Sequence, residues 1–343
     1  MASCVNKHAQ EVSFPEAVVS PWQSFFSIFS TKKTKVEDTP FDVATKFLMD
    51  GPLQIPSLCT LVQLYGVGMH GLCTKVLKGH TAEVTALIPL LGGKMASGSK
   101  DKTVRVWVDT LCVLRMTGHT AGVTSLAALF NGNVASGSLD TTVRFWNTNT
   151  GSCLTVMNVH QAPVYALATL RDGRVISGGV DTFRCISNVD SKHVSVCNGA
   201  KKSLFALAMF PNGDIATSLG NGTIKVWGGR PFTLAGFADS VRALTVLPDK
   251  KIASGSLDKT IIVWKDGQPI YHCCGNFGAV HALCVANDKL VSGTQDATVS
   301  VWDDDGSRLL AMTGHTKDVT ALTLLPDGTL ASGSKDCTIR LWR

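Results

Sequence analysis

The sequence predicts an all-β fold, a seven-bladed β-propeller, and three observations predict it. A twelve-residue phrase recurs: "ASGSKDKTVRVW" ends at Trp107, "ASGSLDTTVRFW" at Trp146, "ASGSLDKTIIVW" at Trp264, "VSGTQDATVSVW" at Trp302 and "ASGSKDCTIRLW" at Trp342. Two degenerate copies, "ISGGVDTFRCI" ending at Ile186 and "ATSLGNGTIKVW" ending at Trp227, complete a series of seven whose ends lie 39, 40, 41, 37, 38 and 40 residues apart. Between the phrases run short alternating stretches such as "EVTALIPL", bounded by turns such as "LGGK", "FNGN" and "PDGT". A forty-residue period with four short strands per unit indicates a propeller and not a helical solenoid.

Taken in order, residues 1–36 show little periodicity and are expected to be disordered. Residues 37–70 read as a short helical segment. "TPFDVATKFLMDG" offers Thr39 as N-cap, Pro40 in the first turn, Asp42 three positions after the cap and Gly51 as terminator. Phe41, Ala44, Phe47 and Leu48 would share one face, and a second short helix fits Ser57–Tyr65. Such helices either pack on the propeller or dock an assembly partner. An F-box is disfavoured, because the segment is short for three helices and lacks a Leu-Pro start. Residues 71–343 form the propeller. The last unit supplies three strands and ends at Trp342, whereas "GLCTKVLKGH" before the first Gly-His matches the outer strands "TLCVLRMTGH" and "GSCLTVMNVH". Leu72–Lys78 is therefore expected to pair with Thr338–Trp342, closing the ring and leaving no free sheet edge.

Composition narrows the function. An apolar fraction of 45% and a charged fraction of 17% are those of a protein with a sizeable core. The net charge of +6 comes from scattered residues with no basic run, which argues against a nucleic-acid footprint. Eleven cysteines form no C-x-x-C pair; Cys73, Cys112 and Cys153 each lie seven residues before a histidine and read as reduced, half-buried thiols of a cytosolic protein. The apolar cluster between Trp22 and Phe29 is too short to span a bilayer, and Glu11 and Glu16 argue against a targeting peptide. The expected setting is cytoplasmic, with the nucleus as alternative, and no membrane contact.

With these repeats the chain resembles a WD40-repeat protein from about Gly71 to Arg343. The resemblance implies a hydrogen-bonded tetrad in each blade: a loop histidine, a serine or threonine on the second strand, the aspartate of a tight turn and the third-strand tryptophan. Complete sets are His80, Ser97, Asp101, Trp107; His119, Ser136, Asp140, Trp146; and His315, Ser332, Asp336, Trp342. Unit 3 keeps His160, Ser177 and Asp181 but has Ile186 for tryptophan; units 4, 5 and 6 have Ala200, Phe237 and Asn276 for histidine. These departures put the local rigidity of the middle blades in doubt.

Ser, His and Asp meeting in each complete blade superficially match a hydrolytic triad. A triad needs an exposed nucleophile and an oxyanion hole, and this trio repeats as internal scaffolding. "GGKM" at Gly92 lacks phosphate-loop spacing, and "DDDGS" at Asp303–Ser307 lacks alternating calcium ligands. No catalytic or metal constellation survives, so the protein is expected to be no enzyme and to need no cofactor.

Binding is expected where the Gly-His loops and Asp turns converge on the channel. The resemblance marks three slots per blade: three and five residues after the histidine, and the residue before the aspartate. The five-after slot reads Thr85, Thr124, Tyr165, Phe205, Arg242, His281 and Thr320. Tyr165, Phe205, Arg242 and His281 thus stand on four consecutive blades, where they either anchor a partner or plug the channel. The before-aspartate slot includes Lys100, Leu257 and Lys335, and Lys335, Lys100, Glu83 and Asp318 make a charged sector on blades 7 and 1. Such a surface suits a peptide with an acidic or phosphorylated group beside an apolar anchor. The leading reading is a non-enzymatic scaffold or adaptor for proteins or peptides. Alternatives are a ubiquitin-pathway substrate adaptor or ubiquitin-binding module working with a ligase, and an RNA- or ribosome-associated protein, which the weak charge disfavours.

Overall fold

The computed structural model of the protein describes residues 71–181, 183–186, 194–196, 203–229, 231–273, 275 and 278–343. The predicted disorder of 1–36, the predicted helices of 37–70, and the histidine-slot residues Ala200 and Asn276 lie outside them. No helix among the described residues is long and apolar enough to cross a membrane.

Each repeat folds into a four-stranded antiparallel meander. In the first, the inner strand Val84–Pro89 pairs with Lys94–Ser99, then Val104–Val108, then the outer strand Leu111–Met116. Five further sheets follow, with inner strands Val123–Ala128, Val164–Thr169, Leu204–Met209, Val241–Val246 and Val280–Ala286. One sheet is composite: Val319–Leu324, Leu330–Ser334 and Thr338–Trp342 are joined by Cys73–Lys78 as the outer strand. Lys78 faces Thr338 and Cys73 faces Trp342, and Leu72 and Arg343 exchange backbone hydrogen bonds of 3.0 and 3.1 Å beyond them. The sheets, called blades 1 to 7 in repeat order with the composite one last, make an all-β propeller. Each inner strand packs beside the next, and Val319–Leu324 lies beside Val84–Pro89.

The second and third strands are buried on both faces because every blade has a neighbour on each side, whereas the outer strands are largely exposed. Val104 and Val106 of blade 1 are fully buried, and with Met116 they pack against Val123, Leu126, Val134 and Trp146 of blade 2. The core is therefore distributed between blades. Trp107 seals blade 7 to blade 1, and Trp342 seals blade 6 to blade 7. Truncating such a buried tryptophan to alanine costs about 3–5 kcal/mol.

The phrase "ASGS" forms a second strand whose residues are all buried. Its glycine is fixed by the next blade: a Cβ on Gly137 would lie 2.7 Å from Val164 Cγ1, and one on Gly255 would lie 2.4 Å from Val280 Cγ1. In blade 4 this place is Ser218, whose hydroxyl accepts the Ala206 N–H at 2.9 Å.

The thiols depart from expectation. Cys73 is half-buried, but Cys112 and Cys153 are exposed. They lie at the start of the outer strands Leu111–Met116 and Cys153–Met157, where a sheet edge leaves one side without a neighbour.

Candidate functional site: the channel mouth

The scaffold beneath the site is the tetrad. In blade 2, His119 Nδ1 lies 2.7 Å from Asp140 Oδ2 and Nε2 lies 2.7 Å from Ser136 Oγ, while Trp146 Nε1 donates to the same Oγ at 2.8 Å. Blade 1 repeats this with His80, Asp101, Ser97 and Trp107, all at 2.7 Å, and blade 7 with His315, Asp336, Ser332 and Trp342 at 2.7–2.8 Å. Ser Oγ accepts from Trp and has one proton, so the arrangement is satisfied when that proton goes to Nε2 and the neutral histidine donates from Nδ1. Burial pushes His119 and His315 below the ordinary value of 6.5, which keeps them neutral.

The carboxylates are correspondingly over-supplied with donors. Asp140 receives His119, the Thr142 hydroxyl at 2.7 Å and the backbone N–H groups of Thr142 and Thr120. Burial alone would raise its pKa, but these donors outweigh it and hold Asp140 at about 2 instead of 3.8. Asp336 is held at about 2 by the same balance, and Asp101 is held lower still. Thr103, Thr142 and Thr338 are thus fifth members that the four-residue pattern missed; the signal was a threonine two residues after each aspartate.

The middle blades keep more than their sequences suggest. Blade 3 retains His160 at 2.8 Å from both Asp181 and Ser177. Blade 5 places Phe237 against Trp264 with ring centroids 6.2 Å apart and planes at 58°, the arrangement of His80 on Trp107 at 6.2 Å and 59°. With no imidazole to receive it, the Ser254 proton goes to Ile262 O at 3.0 Å while Ser254 still accepts Trp264 at 2.7 Å. Blade 6 keeps Trp302 on Ser292 at 2.8 Å, and blade 4 keeps Trp227 on Thr217 at 2.9 Å.

Above this scaffold two structural devices build the mouth. In every blade the residue before the turn aspartate, or before Asn221 in blade 4, donates its N–H to the carbonyl three residues after the histidine position. Examples are Lys100 to Glu83 at 2.9 Å, Leu257 to Ser240 at 3.0 Å and Lys335 to Asp318 at 2.9 Å. The inner strand also shifts register at its start in every blade, between Val84 and Ala86, Val123 and Ser125, Val164 and Ala166, Leu204 and Leu207, Val241 and Ala243, Val280 and Ala282, and Val319 and Ala321. The residue at this bulge is the five-after slot, and a bulge re-aims a side chain. The family resemblance located the slot, but the sequence carried no sign of the bulge.

All seven slot residues line one central channel of about 500 Å³. In blades 7, 1 and 2 the slot threonine is spent on the scaffold. Thr85 Oγ1 donates to Val123 O of blade 2 at 2.7 Å, Thr124 to Val164 O of blade 3, and Thr320 to Val84 O of blade 1. In blades 3 to 5 aromatic and cationic groups bridge instead. The Tyr165 and Phe205 rings lie 5.3 Å apart, and the Arg242 guanidinium sits 3.9 Å above Phe205. His281 Nε2 of blade 6 is 3.2 Å from Asp318 Oδ2 of blade 7, close enough for an ion pair but misaligned for a hydrogen bond. Burial lowers the His281 pKa, against the pull of Asp318. Tyr165 and Phe205 both line the channel.

The charged sector is paired within itself: Lys100 with Glu83 and Lys335 with Asp318, each at 2.5 Å. Leu257, Asp318 and Lys335 do not line the channel, and Asp318 approaches it through His281. Arg242 makes no ion pair within 4 Å among the described residues, and its Nε is buried without a partner. Buried, unpartnered Nε atoms also occur at Arg105, Arg144 and Arg340, which lie outside the channel, so the orphan atom alone does not single Arg242 out. Among the described residues no cluster of His, Cys, Asp and Glu is placed to hold a metal ion.

Repeated blades, histidine-aspartate-serine-tryptophan networks and a loop-lined channel define a repeat propeller of the interaction type. The family model "WD domain, G-beta repeat" matches residues 71–108, 110–147, 229–265, 267–303 and 306–343, just over half of the chain. The chain belongs to the WD40-repeat family. The unmatched stretch between 147 and 229 holds Ile186 at the tryptophan position and Asn221 at the aspartate position. The chain is also similar to mitochondrial division protein 1 of Schizosaccharomyces pombe, 30% identical over 136 residues. That match covers 38% of this chain, and the chain spans 18% of the length of the relative.

Proposed function

We propose that the protein is a seven-bladed ring, closed by the Cys73–Lys78 strand, that works as a non-enzymatic scaffold recognising a protein segment at its channel mouth. WD40 propellers generally bind other proteins, which makes protein interaction the coarse function of the repeats. The observation that carries the finer reading is the difference in what the slot residues do. Thr85, Thr124 and Thr320 are consumed by backbone carbonyls, whereas Tyr165, Phe205, Arg242 and His281 present aromatic and cationic surface to an open channel. Tyr and Arg are the types that anchor interfaces, because each offers a large apolar face with a polar end.

The matched relative bears the name of a mitochondrial division protein, and a match over 18% of its length favours no particular partner. Affinity purification with quantitative mass spectrometry tests the reading. The intact chain is expected to retain a reproducible set of proteins that the Phe205→Ala/Arg242→Ala double variant loses. An unchanged set would remove the channel mouth as the site.

A further inference from the structure

We propose that the channel mouth takes a single carboxylate, from an acidic side chain or a peptide C-terminus, on the edge of Arg242, and that it selects against a phosphate. This inference rests on the channel mouth being the peptide-binding surface and specifies what that surface reads.

The argument is one of charge and geometry. Lys100 and Lys335 are each tied to an acid at 2.5 Å, so neither is free for a ligand without breaking a pair. His281, which lines the wall with Lys100 and Arg242, is faced by Asp318, Lys335 and Glu83, and burial disfavours its charged form. Among the described residues Arg242 is then the one cation of the channel wall with no acid within 4 Å, Asp239 acting on it only from farther away. Its flat face is occupied by Phe205 at 3.9 Å, which leaves the guanidinium edge to meet a ligand. That edge presents parallel N–H groups matching the two oxygens of a carboxylate. A phosphate monoester brings about −1.5 to −2 charges, more than one guanidinium offsets. Glu83 in the wall and Asp318 behind His281 add repulsion. The channel threonines offer no compensating donors, since their hydroxyls are bound to carbonyls. Phe205 and Tyr165 supply the apolar surface on which the residue beside the carboxylate rests.

Immobilised peptide pools with randomised flanks and one fixed central residue test this on the full chain. The fixed residues are Asp, Glu, Ser, phosphoserine and phosphothreonine, and a further pool carries a free or amidated C-terminus. At least one carboxylate pool is expected to retain about tenfold more protein than its uncharged counterpart and than either phosphorylated pool, since a charge-assisted bond contributes roughly that factor. Arg242→Ala should abolish the preference, Arg242→Lys should keep part of it, and Lys289→Ala, whose partner is Asp303 and which does not line the channel, should leave it intact. Matching thermal unfolding of the variants guards against a folding defect. Preferred retention of the phosphorylated pools, or a carboxylate preference that survives Arg242→Ala, would overturn the proposal. Equal retention of the Ser and acidic pools and of the free and amidated ends would sink the carboxylate alone and leave the peptide-binding surface standing. If no pool were retained, both would fall.

Discussion

In blades 7, 1 and 2 the slot five residues after the histidine is a threonine that ends on the backbone of the next blade, above a complete network of His, Ser, Asp, Thr and Trp. In blades 3 to 6 the same slot, on the same strand-start irregularity, carries Tyr165, Phe205, Arg242 and His281. The backbone is alike in the two halves, and the side chains are put to different uses. One half spends its polar groups on joining blades. The other joins blades through a stack of Tyr165, Phe205 and Arg242 and leaves those side chains facing the channel. Hydrogen bonding between blades and channel-facing aromatic and cationic surface are thus divided between the two halves.

The comparison can be broken most directly at the turn carboxylate. Asp140→Ala would strand four donors in a nearly closed site and should lower stability by about 3 kcal/mol. Asn221, its counterpart in blade 4, accepts the Thr223 hydroxyl at 2.7 Å, and Asn221→Ala should cost about 1 kcal/mol or less. Equilibrium denaturation of the two variants reads the difference; equal losses would mean the halves are held alike.

A smaller effect is expected at the glycine of the second strand. Gly137→Ala drives a methyl against Val164 and should cost about 1–3 kcal/mol by overpacking. Ser218→Ala at the matching position of blade 4 removes one hydrogen bond to Ala206 N and should cost about 1 kcal/mol. Smaller again, Thr124→Val deletes a single inter-blade bond, also worth about 1 kcal/mol. It should speed amide hydrogen exchange at the start of Val164–Thr169 more than elsewhere.

The regular half also sets the response to acid. His119 and His315 have lowered pKa values in the folded protein, so below 6.5 the unfolded chain takes up protons that the folded one resists, and stability falls as pH drops through that value. Asp140 and Asp336 are shifted from 3.8 to about 2, so their contribution is full above 3.8 and is lost as pH falls toward 2. Two separate declines in melting temperature are expected. His119→Phe, which copies the Phe237 solution of blade 5, should weaken the first and leave the second largely in place.

The propeller was legible because a forty-residue period is a global signal that no local accident mimics. The strand at Cys73–Lys78 was legible from likeness to its sister strands "TLCVLRM" and "GSCLTVM". The tetrads followed from the family resemblance, carried over to the matching residues of each repeat. Other features were hidden for a physical reason. A bulge is a property of pairing between strands and leaves no mark on one strand. Threonine at a slot does not announce whether its hydroxyl meets a ligand or a carbonyl. The self-pairing of Lys100 with Glu83 and of Lys335 with Asp318 depends on side-chain reach across the turn, so four residues that looked like binding charges are largely spent on one another. Phe237 looked like a lost histidine, yet its ring holds the same position against Trp264.

Partner capture measured side by side for Asp140→Ala and Phe205→Ala/Arg242→Ala tests the division of labour most directly. The first variant should be less stable yet retain the partners of the intact chain at a temperature where it stays folded. The second should fold and lose them. If the second kept its partners, or the folded first variant lost them, the two halves would not be specialised in this way.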